Sequence, residues 1–429
     1  MPSLFVDTTP LRVSPAYRRL WWGLTVSNLG TQLTVVVVGL QVYEITRSTF
    51  SVGVLGLCAL VPLVVFGLYG GAIVDHYDRR TVALVSSTVS WVVTLGLAVQ
   101  GFLLGSDAPV ALLFALVAVQ SAANAVNSPA RGAIVPRLLE PQLMPAANAL
   151  QTAAFSAALM IGPLLGAAIA GAVGFGWAYA TDAVLFTSAL TALLSLPPVP
   201  PEHSDTRRRR VGLASVVDGL RYLGTQRNVR MTFAVDLVAM VCAMPRVVFP
   251  AVGLLYLGGG ETTTGALTAA LAVGSALATL FSGGLARVRW QGRVITGAIT
   301  AWGLAVVGFG LVLVAVGRSE PSSVLWWALA AAFLMLVVAG GADAISAVFR
   351  QTILQTATPD DMRGRLQGVF IVVVAGGPRL GDLVVGGLSS RVGEAWAVVI
   401  GGLLCVVLLW VLVRAQRSFW RYDAHHPEP

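Results

Sequence analysis

Twelve long apolar runs, separated by short polar segments, dominate this 429-residue chain. Each run approaches or exceeds the roughly 20 residues that a helix needs to cross a bilayer. Only 11% of the residues are charged, whereas a soluble chain carries about a quarter. The sequence therefore predicts an all-α membrane protein with twelve transmembrane helices. The predicted spans cover residues 19–43, 50–74, 80–104, 109–130, 143–173, 177–197, 229–257, 264–286, 293–317, 323–349, 366–389 and 395–414.

The basic residues, all arginines, are distributed unevenly between the ends of these spans. If the N-terminus is cytoplasmic, 23 of the 28 lie on the inner side and three on the outer side. In this assignment Arg131 and Arg350 belong to inner loops. Because basic residues accumulate on the cytoplasmic side, the distribution predicts that both termini are cytoplasmic.

A proline-rich and arginine-rich segment near the middle of the chain divides the spans into two groups of six. We expect it to be a cytoplasmic linker that includes an amphipathic helix at the membrane surface. The predicted divisions are an N-terminal tail (1–16), a first six-helix bundle (17–197), the linker (198–228), a second six-helix bundle (229–416) and a C-terminal tail (417–429).

Three correspondences between the halves indicate an internal duplication. The sequence Gly-Pro-x-x-Gly at 162–166 recurs at 377–381, an offset of 215. The glycine pair 70–71 recurs at 283–284, and Arg131 matches Arg350 at an offset of 219. Two related six-helix bundles follow, and transporters built in this way bind substrate between the bundles near mid-membrane.

A charged stretch, GGAIVDHYDRR at 70–80, ends the second predicted span. Gly71, Asp75 and Arg79 lie four residues apart on one helix face, so Asp75 can reach Arg79. This stretch resembles the loop between the second and third spans of the major facilitator superfamily, where Gly-x-x-x-Asp precedes basic residues. The resemblance implies a two-bundle transporter. It also implies gating roles for Gly71, Asp75, Asp78, Arg79, Arg80, Gly162, Pro163 and Gly166.

Within that superfamily, the segments PRVVFPAV (245–252) and QTATPDDMRGRLQGVF (355–370) resemble bacterial exporters related to the enterobactin exporter and to drug efflux proteins. Such relatives are proton-coupled exporters of siderophores or amphiphilic drugs in the inner membrane. The sequence departs from the wider pattern at Asp78, usually glycine, and at Ala158, near a missing glycine. The fourth span also lacks the buried arginine that many proton antiporters use.

Charged residues inside spans are costly and usually face a cavity or a partner. We expect five of them to take part in proton coupling or substrate binding: Asp236, Arg246, Asp343, Arg379 and Asp382. A structural ion pair between Arg379 and Asp382, three residues apart, is the alternative. Arg246 also needs a partner, for which Asp382 is the best candidate. Asp182, near the outer end of the sixth span, is expected to be water-exposed.

Uncharged polar residues share faces on two predicted spans of the first half. We expect four of them to line a cavity: Asn28, Gln32, Gln120 and Asn124. In the second half, Met240 and Met244 form a stripe that is also expected to line a cavity. Methionine suits an adaptable surface for apolar ligands, but a methionine stripe is more commonly packing. Polar faces can likewise hydrogen-bond to neighbouring helices instead of lining a cavity.

The repeat shows that the acidic residue of the loop at 70–80 occurs in one half of the chain only. Where the first copy has Asp75 and Arg79, the second has Val288 and Gly292. In relatives the aspartate meets the inner end of the eleventh span, where a helix N-terminus favours an acid. We therefore interpret the loop as a one-sided latch that closes the cytoplasmic side.

Together these features predict a secondary transporter that exports a small organic solute in exchange for protons. An importer of the same fold is the first alternative, and a non-transporting receptor or membrane enzyme is the second. No catalytic constellation, cofactor motif, metal-ligand spacing or nucleic-acid-binding face is apparent in the sequence. A monomer is expected.

Overall fold

The computed structural model describes residues 7–200, 220–281, 288–358 and 360–424. These ranges are helical apart from short connections, and their one bridge of β type pairs Trp290 with Asp423. The first-half helices are α1 (Thr9–Val13), α2 (Pro15–Thr46), α3 (Thr49–His76), α4 (Arg79–Leu103), α5 (Val110–Leu138), α6 (Met144–Val173) and α7 (Phe175–Leu194). The second-half helices are α8 (Arg227–Cys242), α9 (Phe249–Leu255), α10 (Gly260–Leu280), α11 (Gln291–Val316), α12 (Trp326–Thr356), α13 (Asp360–Val392), α14 (Glu394–Ala415) and α15 (Arg417–Trp420).

Within the described ranges, 11 helical segments are long and apolar enough to cross a membrane, with α8 and α9 together forming one of them. The twelfth long helix, α13, has 33 residues and begins with the charged sequence DDMRGR. The prediction of an all-α protein with twelve long helices is therefore confirmed.

Helices α5 and α12 extend at their C-terminal ends well beyond the spans predicted from the sequence. Helix α5 continues to Leu138 instead of ending at residue 130, and α12 continues to Thr356 instead of ending at residue 349. The apolar runs end earlier because only one face of each extension is apolar; Ile134 and Ile353, for example, are fully buried. Arg131 and Arg350, assigned to loops, therefore lie on helices.

The seventh predicted span, 229–257, is broken. Helix α8 ends at Cys242, a 3-10 turn covers Arg246–Val248, and α9 begins at Phe249. The helix breaks near Pro245 because proline has no N–H to donate and its ring clashes with the preceding helical turn. Arg246 therefore lies in the turn between two helices and not within a continuous helix.

The chain divides into two compact units, the first comprising residues 1–45 and 58–212 and the second comprising 46–57 and 213–429. The start of α3 thus clusters with the second unit, whereas the sequence analysis places it in the first bundle. The predicted linker 198–228 falls largely on residues 201–219, which lie outside the described residues.

Each unit contains one close helix crossing built on the Gly-Pro-x-x-Gly sequence. In the first unit, a Cβ on Gly162 of α6 would lie 2.7 Å from the Cβ of Gln32 in α2. In the second unit, a Cβ on Gly377 of α13 would lie 3.2 Å from the Cβ of Met240 in α8. Side chains larger than hydrogen would thus push these helices apart, and the repeated sequence has the same packing role in both units.

Residues 417–424 fold back onto the second unit, although the sequence analysis treats them as part of a tail. Phe419 is fully buried, and the backbone N–H of Ala424 donates to the carbonyl of Arg289 over 2.9 Å. Arg289 also pairs with Asp423 at 2.7 Å, and this hydrogen bond raises the pKa of the guanidinium. We call residues 417–424 the C-terminal clasp.

Candidate functional site

A buried ion cluster in the second unit links α8 to α12. Arg350 donates through Nη1 to Oδ1 of Asp236 and through Nη2 to Oδ1 of Asp343, the latter over 3.4 Å. The side chains of Arg350 and Asp236 are 7% and 6% exposed, whereas that of Asp343 is 39% exposed. The cluster therefore combines one enclosed carboxylate with one that is partly exposed.

Helix geometry explains why these three residues meet. Asp343 and Arg350 are seven residues apart on α12, which is about two turns, so both side chains lie on one face. Asp236 is supplied by the neighbouring helix α8. Two carboxylates and one guanidinium carry a net charge of −1 when all are ionised, so taking up one proton makes the cluster neutral. Such a cluster can bind and release a proton.

A second set of charges lies in the same unit. Arg246, exposed at the helix break, is close enough for its charge to act on both Asp343 and Asp382. Oδ1 of Asp382 is buried and has no hydrogen-bond partner among the described residues. Arg246 thus approaches Asp382, as expected, but the two do not form an ion pair within 4.0 Å.

The ion pair between Arg379 and Asp382, which is the structural alternative to a role in proton coupling or substrate binding, is not present. Although these residues lie three apart on α13, they are not among the ion pairs within 4.0 Å in the described ranges. Helix α3 instead lies beside Asp382: a Cβ on Gly53 would lie 2.5 Å from its carbonyl oxygen, and a Cβ on Gly56 would lie 3.5 Å from its Oδ2.

Met240 and Met244, expected to line a cavity, are buried at 8% and 3% exposure. They pack against α13, where a Cβ on Gly381 would lie 3.0 Å from the Cβ of Met244. The close approach of the two helices encloses the methionine stripe. The packing interpretation therefore describes these two residues better than the cavity interpretation.

The first unit carries a polar cluster at the position equivalent to the ion cluster. Nδ2 of Asn127 and Nη2 of Arg131, both on α5, donate to Oγ of Ser87 on α4 at 2.7 and 3.2 Å. Nε of Arg131 and Oδ1 of Asn127 are buried without a hydrogen-bond partner among the described residues. We call Ser87, Asn127 and Arg131 the Arg131 cluster.

The other polar residues of the first unit are partly buried. Asn28 lines a small cleft between α2, α5 and α6, together with Val135 and Gln151. Gln32 lies instead at the helix crossing with Gly162. On α5, Asn124 is partly buried, and Oε1 of Gln120 is buried without a hydrogen-bond partner in the described chain.

The charged loop after α3 is anchored within the first unit. Asp78 caps α4 by accepting a hydrogen bond from the backbone N–H of Thr81 at 2.8 Å. Arg80 donates to the carbonyls of Leu193 and Leu194 at 3.0 and 2.8 Å. Aspartate is a favoured N-cap residue and glycine an acceptable one, which accounts for aspartate where the superfamily usually has glycine.

Of the remaining residues of the charged stretch, Arg79 has a described contact, whereas Gly71 and Asp75 do not. Arg79 donates through Nη1 to the carbonyl of Ala133 at 3.4 Å. The surroundings of Gly71 and the side chain of Asp75 lie outside what the structure describes, so the latch assigned to Asp75 stays a prediction.

Asp182, expected to be exposed to water, is 1% exposed. Thr34 of α2 donates to its Oδ2 at 2.6 Å, and its Oδ1 has no hydrogen-bond partner among the described residues. It is buried because α7 packs directly on α2, where the absence of a side chain at Gly30 leaves room for the carboxylate. The polar side chain thus turns toward the helix interface and away from the end of its span.

Sequence reasoning missed Arg350 as a member of the ion cluster. An arginine that ends an apolar run looks like an ordinary topology signal, and both Arg131 and Arg350 were assigned in that way. The offset of 219 between them was the available clue, because repeated arginines on equivalent helices occupy equivalent sites.

Among the described residues, no three His, Cys, Asp or Glu side chains are grouped to hold a metal ion. The ionisable groups of the ion cluster are two carboxylates and one guanidinium.

Comparison with known proteins shows which family this chain belongs to. The family described as "Transmembrane secretion effector", a branch of the major facilitator superfamily, matches residues 7–427. The enterobactin exporter EntS of Citrobacter koseri is 26% identical over 422 residues, covering 97% of each chain. EntS of Salmonella typhimurium is 27% identical over 430 residues, covering 98% of this chain and 97% of that protein.

Solved structures agree on the fold. The nucleoside transporter NupG superposes with a TM-score of 0.71 at 14% identity, covering 95% of this chain and 99% of that one. A D-xylose-proton symporter superposes with a TM-score of 0.69 at 13% identity, covering 92% and 96%. At these identities the structures show a common fold alone. Because the family match spans nearly the whole sequence, the chain belongs to the transmembrane secretion effector family of the major facilitator superfamily.

Proposed function

We propose that this multi-pass membrane transporter exports a small organic solute of the siderophore class in exchange for protons. The observation that carries the proton coupling is the ion cluster, in which Arg350 has two carboxylate partners of unequal burial. The substrate class is supported by the relatives, which are named enterobactin exporters. A proton-driven cycle needs a carboxylate whose protonation changes its ion pairing.

Asp343 is the carboxylate that exchanges the proton in this mechanism. Its side chain is 39% exposed and its contact with Arg350 is long, at 3.4 Å, so it is the less enclosed and more weakly paired of the two carboxylates. Asp236 stays enclosed and keeps Arg350 paired. When Asp343 loses its proton, the cluster gains a negative charge that Arg246 and Arg350 can share. Asp382, which also experiences the charge of Arg246, is the second candidate.

In this proposal the transporter lies in a bacterial inner membrane with both termini in the cytoplasm. The arginine distribution supports this orientation because most arginines then lie inside. In this orientation, the loop from Gly71 to Arg80 acts as a latch that closes the cytoplasmic side. A monomer is the functional unit, and Asn28, Gln32, Gln120 and Asn124 contribute polar surface to the solute path.

The test uses the full chain in proteoliposomes with labelled enterobactin as the solute. A proton gradient should drive accumulation in inside-out vesicles, which corresponds to export from the cell. Asp343→Asn should keep solute exchange in the absence of a gradient and lose gradient-driven accumulation, with Asp236→Asn and Asp382→Asn measured alongside it. Normal coupling in all three variants would contradict the carboxylate assignment, and accumulation in right-side-out vesicles alone would indicate an importer.

A further inference from the structure

Arginine and tryptophan side chains stack in series where α11 begins and α14 ends. Cζ of Arg289 lies 5.0 Å from the ring centroid of Trp290, and Cζ of Arg293 lies 4.9 Å from the same centroid. Arg293 also lies over the ring of Trp420 at 5.9 Å, and that ring is 5.6 Å from the ring of Trp410. We call these five residues the Arg–Trp ladder: Arg289, Trp290, Arg293, Trp420 and Trp410.

Arg293 is the member of the ladder that is placed to bind an anion. Arg289 is already paired with Asp423 at 2.7 Å. Arg293 is exposed and lies over two indole rings, one just before α11 and the other at the end of α15. Cation–π contacts within about 6 Å hold a guanidinium through its face. Its N–H donors, which lie at its edge, then remain available in the fork geometry that matches a phosphate group.

Further positive charge surrounds the ladder. Residues 410–424 contain three arginines and one aspartate, which is the partner of Arg289. The three arginines are all exposed: Arg414, Arg417 and Arg421. This end of the second unit therefore attracts anions.

An exposed apolar strip leads along α14 to the ladder. Leu403, Val407, Trp410 and Arg414 follow one another at spacings of three or four residues, so they share one helix face. Leu403 and Val407 are 47% and 57% exposed. The face thus changes from aliphatic to aromatic to cationic toward the end of the helix, in the order that a bilayer changes from acyl chains to headgroups.

We propose that the Arg–Trp ladder binds the phosphate of an anionic glycerophospholipid such as phosphatidylglycerol. One acyl chain of this lipid lies along the strip of α14, and the phosphate accepts hydrogen bonds from Arg293. The occupant is a lipid because the cationic site continues into an apolar surface that a soluble anion leaves uncovered. Bound lipid fastens the C-terminal clasp to α11 and α14, a role separate from solute export.

The test is native mass spectrometry of the full purified chain in an uncharged detergent, titrated with phosphatidylglycerol or phosphatidylcholine of the same acyl chains. Both lipids carry the phosphate, but the surrounding arginines repel the choline cation. The wild type should bind the first phosphatidylglycerol about tenfold more tightly, since a hydrogen bond to a charged group has about this effect. Arg293→Gln should make the two affinities equal.

Arg391→Gln is the matched control because it removes an exposed arginine from the last turn of α13, in the same unit. It should keep the preference for phosphatidylglycerol. Arg293→Lys should reduce that preference, since an ammonium group keeps the charge but cannot lie flat on two rings. Equal binding of both lipids by the wild type, or an unchanged preference in Arg293→Gln or Arg293→Lys, would overturn the proposal.

Two further measurements identify the occupant and its position. Glycerol phosphate, which has the phosphate without acyl chains, should not displace phosphatidylglycerol; displacement at concentrations comparable with the lipid would assign the ladder to a soluble anion instead. Val407→Asn should weaken the binding of both lipids and leave their ratio unchanged, because it alters the strip and not the ladder. Unchanged affinities in this variant would show that the acyl chain does not lie along α14.

Discussion

At the scale of single residues, Arg131 and Arg350 show that sequence position alone does not define an arginine's role. Both follow an apolar stretch, and hydropathy assigns both to loops. The structure places them on helices, one beside a hydroxyl and the other between two aspartates. The aspartates themselves were recognisable in the sequence as charges inside spans. Their shared partner was not, because partnership depends on how α8 packs against α12.

Asp236 and Asp343 should differ in their effect on stability. Asp236→Asn leaves the buried Arg350 without its enclosed partner, and breaking a buried ion pair costs roughly 3–5 kcal/mol. Asp343→Asn should cost less than about 1 kcal/mol because that contact is long and partly exposed. Thermal unfolding of the purified variants in detergent measures both effects. In a double-mutant cycle, adding Arg350→Gln to Asp236→Asn should cost less than the sum of the single changes; simple additivity would refute the pairing.

At the scale of helices, the repeated Gly-Pro-x-x-Gly sequence proved to be a packing device. The sequence showed that Gly162 and Gly377 were equivalent, and the structure adds what each one contacts. It also shows why α8 differs from its equivalent, α2, which runs unbroken from Pro15 to Thr46. Pro245 interrupts the seventh span and places Arg246 at the break, whereas a hydropathy profile shows only one continuous apolar run.

Gly381→Ala should destabilise the second unit because a Cβ would collide with the carbonyl oxygen of Met240 and lie 3.0 Å from the Cβ of Met244. Overpacking of this kind costs about 1–3 kcal/mol. The matched control is Gly387→Ala on the same helix, whose Cβ would meet nothing closer than 3.8 Å. That variant should be neutral or slightly more stable, since alanine favours helix. Equal losses of unfolding temperature in the two variants would contradict the crossing.

At the scale of the whole molecule, the count of spans and the duplication were predictable because both come from local hydropathy and repeated sequence. The grouping of residues into the two compact units was less predictable from the sequence. Residues 46–57 cluster with the second unit, although they begin a helix of the first half. The C-terminal clasp was also missed, since Phe419 lies in a segment rich in arginine and its burial depends on contacts with residues more than 100 positions earlier.

Phe419→Ala should lower the stability of the second unit and leave that of the first unit unchanged. Removing a fully buried phenylalanine side chain costs about 3–5 kcal/mol. Hydrogen exchange should accelerate in residues 288–296 and 417–424, because the clasp covers the start of α11. Phe281→Ala, which truncates a phenylalanine of the same unit that is 77% exposed, serves as the control. Faster exchange throughout both units would argue against a locally acting clasp.

The clasp has a practical consequence for handling this protein. Because the chain is held through the N–H of Ala424, a purification tag or fluorescent reporter fused before that residue would replace part of the folded second unit. A fusion made beyond Ala424 with a flexible spacer leaves the clasp intact. Expression screens that compare the two junctions should therefore recover more folded transporter from the longer one.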